Sequence, residues 1–165
     1  MNMKSPETVP TTKWHAVMKH LVFASILLVS SSALKAQSPS GVELEQIEAV
    51  KDCILSFASA ADAQDLKQLD KILHPSYRTV LNKAFGSDEV SVLSKDDYIG
   101  MAKAGKIGGS EREVHILSLD IQNEIARATV VLQSETTRFN SYFSMVRNAE
   151  GNWQMISDLP QIEKL

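Results

Sequence analysis

The apolar residues of this 165-residue chain change their period once, near residue 113. Before that point they recur every three or four residues, and after it they alternate with polar ones. The first period places side chains on one face of a helix; the second places them on one face of a strand. A chain divided in this way is predicted to be α+β, with its helices gathered in the N-terminal half and packed on one side of an antiparallel sheet.

In the first half, Ile47, Val50, Ile54, Phe57, Ala58 and Ala61 form one apolar stripe. Ser40 and Glu43 have the spacing of a capping box at its start. Asp65 suits the cap of a second helix over 66–73, and Pro75, which has no N–H to donate, ends it. The stretches 77–83 and 90–93 flank a turn and read as a hairpin. Ser94 and Asp97 form a second capping box, opening a helix through Tyr98, Met101 and Ala102 that Gly105 closes. Beyond residue 113 the alternation predicts strands over 113–122, 125–137 and 139–147, with a fourth from Trp153 to about Asp158. Their short connections predict an antiparallel meander. His115, Leu117, Leu119 and Ile121 fall on one face of the first of these strands; Ala126, Ala128, Val130 and Leu132 fall on one face of the second.

The residues ahead of the first helix have a different character. Leu21 to Leu34 is free of charge but shorter than the roughly 20 apolar residues that cross a bilayer. Lys13, Lys19 and His20 precede it, while Ala33, Ala36 and the polar QSPSG follow. That order is the pattern of a secretory signal. The reading is a leader over 1–36, starting at Met1 or Met18, a flexible linker over 37–41 and one domain over 42–165. It implies export to the periplasm or beyond, with no membrane span. Without Lys4, Lys13, Lys19, Lys35 and Glu7 the net charge moves from −3 to −6. An acidic domain lacks the basic footprint of a nucleic-acid binder, and a single cysteine, Cys53, rules out an intrachain disulfide.

The order of elements over residues 42–165 resembles the nuclear transport factor 2-like superfamily. The resemblance is carried by the long first helix, by ADAQDLKQLDKILHPSYRTV, by the alternating EVHILSLDIQNEIARATVVL, and by SYFSMVRNAEGNWQMI. Gly151, Trp153 and Ile156 stand where the SnoaL-like and lumazine-binding-like secreted bacterial members have theirs. The resemblance implies a cone-shaped, cystatin-like fold: a curved, antiparallel-rich sheet with three N-terminal helices packed on its concave face. It also implies a pocket between helices and sheet, and a homodimer formed through the sheet. Members include isomerases, cyclases and dehydratases that use a pocket Asp or Glu, and proteins without known activity, so the fold leaves function open.

Four residues are candidate ligand contacts. His115, on the expected inner face, is either an acid, base or hydrogen-bond donor in an apolar pocket or a buried, satisfied histidine. Tyr77 and Tyr98 come from elements that border the cone, where their hydroxyls would orient a ligand or simply stay wet above a buried ring. Trp153 is a stacking platform or a packing residue. Among carboxylates, alternation turns Asp120 outward, and Asp158 faces in only if the last strand keeps its register; no catalytic residue is assigned. Cys53, without a neighbouring base, reads as a small buried hydrophobe. No zinc-ligand spacing, phosphate loop or nucleophile elbow is present, and no cofactor or metal is implied. The expected function is an exported domain that binds a small apolar or aromatic molecule without catalysis. Two alternatives stay open: an isomerase, cyclase or dehydratase with a pocket acid or base, and a module for sheet-mediated dimerisation or protein interaction.

Overall fold

The computed structural model describes residues 40–84 and 86–165. The expected leader and most of the linker therefore lie outside the described residues. Helix α1 spans Gly41–Asp62 and opens on the predicted capping box, Ser40 and Glu43 each accepting the other's backbone N–H. The buried side of α1 holds Val50, Cys53, Ile54, Phe57, Ala58, Ala60 and Ala61, which is the predicted stripe with Ile47 left at its edge. Helix α2, Leu66–Ile72, is capped by Asp65, whose side chain accepts the Gln68 N–H at 3.0 Å. It stops before Pro75 is reached, because Leu73 already has extended backbone and begins strand β1, Leu73–Asn82. Strand β2, Val90–Ser94, pairs antiparallel with β1. Helix α3, Lys95–Lys103, starts on the Ser94–Asp97 box, and Gly105 follows it at a φ of +70°.

The second half forms strands β3 (Glu113–Gln122), β4 (Ile125–Gln133), β5 (Thr137–Arg147) and β6 (Trp153–Lys164). They make the expected meander. Strand β4 ends four residues early, where Ser134 and Thr137 close the turn. Strand β6 runs six residues past Asp158, because β5 stays paired with it out to Thr137 and Lys164. The order across the six-stranded sheet is β2-β1-β6-β5-β4-β3. Only the β1–β6 pairing is parallel, and it joins the early hairpin to the late meander. The sheet is mixed and open, the three helices cover one face, and the core lies between. Among the described residues no helix is long and apolar enough to cross a membrane.

Two bulges break the simple alternation. On β3, Ile116 pairs with Val130 and Ser118 with Thr129, leaving Leu117 as an extra residue. An extra residue shifts every later side chain to the opposite face. Val114 and Ile116 therefore pack on the core before the bulge, and Leu119 and Ile121 after it. On β6, Ser157 pairs with Ser144 and Met155 with Met145, leaving Ile156 extra. Trp153 and Met155 are buried before that bulge, Asp158 and Pro160 after it.

Candidate functional site

Between α1, α3, the loop over 104–112 and the covered face of the sheet lies a cavity of about 230 Å³. Phe57, Met101, Ile107, Leu132, Phe139 and Pro160 give it apolar walls. Its polar lining includes Asp158, Arg112, Ser141, Thr79 and Tyr98. An apolar pocket with a few placed polar groups is the usual form of a small-molecule site.

Asp158 reaches this cavity through the bulge at Ile156. Simple alternation from Trp153 and Met155 would turn it outward. The expectation that an unbroken register brings Asp158 in is thus reversed: the slip does so. Thr79 stands opposite it on β1 and Phe143 on β5. The Asp158 carboxyl is buried, and Oδ1 has no hydrogen-bond partner. Burial raises it from an ordinary 3.8 to about 7, since a charge loses its water there. The Ser141 hydroxyl and the Arg112 guanidinium act the other way, the hydroxyl without reaching hydrogen-bond geometry.

Arg112 comes from the loop ahead of β3, which docks on the end of α1. Gln64 Nε2 donates to the Ile107 carbonyl at 3.0 Å, and the Gly109 N–H donates to the Asp62 carbonyl at 2.9 Å. Gly108 has a φ of +78°, and a Cβ there would fall 1.8 Å from the Ala61 carbonyl oxygen. Only glycine allows that approach. The Asp62 carboxylate then accepts both the Arg112 backbone N–H, at 2.9 Å, and Nε of its guanidinium. The guanidinium lies over the Phe139 ring, 5.4 Å from its centroid, and Nη2 is buried without an acceptor. Among the described residues, three buried side-chain atoms lack a partner: Arg112 Nη2, Ser141 Oγ and Asp158 Oδ1. All three residues line this cavity.

The sequence candidates scatter. Tyr98 lines the cavity, edge-on to Tyr77 with centroids 5.6 Å apart. Tyr77 lies behind it in the core, its hydroxyl 2.7 Å from Thr79 Oγ1. Burial raises both phenols, with the Asp158 charge adding to the effect. Trp153 is buried away from this cavity, and its carbonyl accepts from Cys53 Sγ at 3.4 Å. Burial pushes the Cys53 thiol up to about 12, in keeping with a packing role. His115 is a correction. Counted from Leu119 and Ile121 it belongs inside, but the Leu117 bulge intervenes and puts it outside. There it is half exposed and lies 3.2 Å from the Glu113 carboxylate. Leu117 itself is 64% exposed. His74 sits in β1 and accepts the Ser76 N–H through Nδ1. Sequence reading missed Arg112 and Ser141, which carry no local pattern; Asp158 was visible only as a register question.

Residues 45–159 match the family model described as "Putative lumazine-binding". The chain belongs to that family. Its fold is similar to several solved structures, NTF2-like proteins among them. An NTF-2 like protein of unknown function from Silicibacter pomeroyi superposes with a TM-score of 0.64 at 22% identity, over 73% of this chain and 98% of that one. A "putative ketosteroid isomerase" from Shewanella frigidimarina gives 0.52 at 14% identity, over 68% and 94%. A "Putative Scytalone Dehydratase" from Novosphingobium aromaticivorans gives 0.56 at 12% identity, over 74% and 89%. Identities this low speak for the fold alone. No curated protein matches the chain in sequence. In this member of the lumazine-binding family, the three orphaned polar groups belong to residues that line one cavity.

Proposed function

We propose that this protein is an exported binding domain that holds a small, largely apolar molecule in the cavity beneath α1 and α3. One observation carries the reading: every unsatisfied buried side-chain polar atom among the described residues belongs to a residue lining this cavity. Such atoms are uncommon in folded proteins because each costs about 1–3 kcal/mol, and their convergence in one cavity supports a partner supplied from outside. The apolar walls take the body of the ligand, and Asp158, Arg112 and Ser141 orient its polar end. The test is an NMR titration with a panel of apolar, aromatic and heterocyclic compounds, lumazine among them. Binding shifts the signals of Leu132, Ile107 and Phe139; shifts confined to the outer face of the sheet, or none, would overturn the reading. Export is checked separately, by N-terminal sequencing of the secreted or periplasmic protein, which should begin near Gln37.

A second reading is proton transfer, supported by a buried carboxyl that burial raises to about 7. Asp158 would then be the acid or base of an isomerase- or dehydratase-like reaction, the activities named for two of the structural neighbours. It predicts that a bound carbonyl compound exchanges its α-hydrogens with deuterated solvent, and that Asp158→Asn stops the exchange. A ligand that binds in the cavity and never exchanges leaves the protein a binder.

A further inference from the structure

We propose that the ligand of this cavity is a small apolar carboxylate, its anion held between Arg112 and a protonated Asp158, so that binding takes up a proton. The inference rests on the cavity being the ligand site and goes further by naming what enters it.

The argument begins with donors and acceptors. Arg112 is charged at any ordinary pH and can only donate. Asp62 accepts from Nε, the Phe139 ring faces the guanidinium, and Nη2 is left buried with nothing to bond. Ser141 Oγ, which lines the same cavity, also has no partner. The Thr79 hydroxyl is already engaged by Tyr77, so it offers little. A ligand must therefore bring acceptors. A carboxylate brings two oxygens with about four lone pairs, enough for Arg112, Ser141 and an Asp158 hydroxyl together.

Charge narrows the choice further. Five elements present groups to Asp158 or to the residues around it. Tyr77 and Thr79 come from β1, Tyr98 from α3, Ser141 from β5, Arg112 from the docking loop, and Asp62 of α1 neutralises that arginine. Lys106 also lines the cavity but is exposed. With Asp62 and Arg112 paired, the site is neutral when Asp158 holds its proton and negative when it does not. An ammonium ligand would lie against Arg112 and bring no acceptor for Nη2, and a lone carbonyl would bring one oxygen for the three orphaned groups. A carboxylate brings two oxygens, but beside an ionised Asp158 it would form a like-charged pair in a largely apolar cavity. Two carboxyls so placed share one proton. The proton comes from solvent and settles on Asp158; no covalent bond forms or breaks in the ligand. The poise of Asp158 near neutrality makes that uptake cheap at physiological pH.

The experiment is calorimetry on the intact protein with 2-naphthoate and its neutral isostere 2-naphthamide, in buffers of different ionisation enthalpy. Naphthoate should bind more tightly than naphthamide. Its affinity should fall about tenfold from pH 6 to pH 8, with about half a proton taken up at pH 7. In Asp158→Asn the affinity at pH 6 drops severalfold, and what remains is flat with pH and takes up no proton. Retention of the wild-type thermal midpoint at pH 6 separates this from misfolding. Naphthamide binding as tightly as naphthoate, or a naphthoate affinity unchanged from pH 6 to pH 8, overturns the carboxylate assignment while the cavity remains a ligand site. If naphthoate, naphthamide and the wider panel all fail to perturb the cavity, both readings fall together.

Discussion

Asp158 holds a carboxyl in a place where its charged form loses most of its hydration, and the sign of the effect on stability can be worked out. The unfolded chain releases this proton near pH 4, whereas the folded protein keeps it until about 7. The folded state binds more protons across that window, so stability falls as pH rises through it. Between pH 5 and pH 8 this group alone should remove on the order of 2 kcal/mol. Asp158→Asn cannot ionise and should lose that slope, overtaking the wild type in denaturant midpoint above pH 7. If wild type and Asp158→Asn lose the same urea midpoint between pH 5 and pH 8, the carboxyl is better hydrated than its burial implies. Its neighbours Ser141 and Arg112 were invisible to sequence reading because an orphaned hydrogen-bonding atom is defined by what surrounds it, and those surroundings come from distant parts of the chain.

At the scale of elements, two single-residue bulges and one loop determine what the cavity contains. Leu117 is the extra residue of β3 and lies 64% exposed, while its neighbour Ile116 packs on the core. Leu117→Ala should change stability by less than about 0.5 kcal/mol, and Ile116→Ala should cost about 2 kcal/mol. A strict alternating strand predicts the reverse order, so the pair of denaturation curves decides it. The docking loop makes a different demand. Gly108→Ala must relieve both a positive φ and a collision with the Ala61 carbonyl. It should cost more than about 2 kcal/mol and, by loosening the hold of Asp62 on Arg112, speed hydrogen exchange at the Gly109 amide. Unchanged exchange in that variant would separate the loop from the arginine it is argued to place.

For the whole molecule, the sheet face turned away from the helices exposes large apolar side chains. Tyr142 is 64% exposed and Leu159 43%, and Thr129, Tyr142 and Leu159 lie in one row across β4, β5 and β6. Leu117 stands beside that row on β3. Apolar side chains aligned on an exposed face fit the homodimer implied by the family resemblance. Wild-type protein should sediment as a dimer, and a double Tyr142→Glu, Leu159→Glu variant as a folded monomer. A wild type that stays monomeric at high concentration would leave this face without the proposed role.

Helix positions, both capping boxes and the meander were legible in the residues because they depend on neighbours within a few positions: a hydroxyl three residues from a carboxylate, or a side chain on every second residue. The parallel seam between β1 and β6 was not legible, since it joins segments about 80 residues apart with no local mark. Nor were the bulges. A one-residue slip leaves composition and period nearly intact, yet it moves His115 out of the core and Asp158 into it. Local chemistry chose the elements; the packing of remote strands and one glycine against a helix end chose which side chains face the cavity.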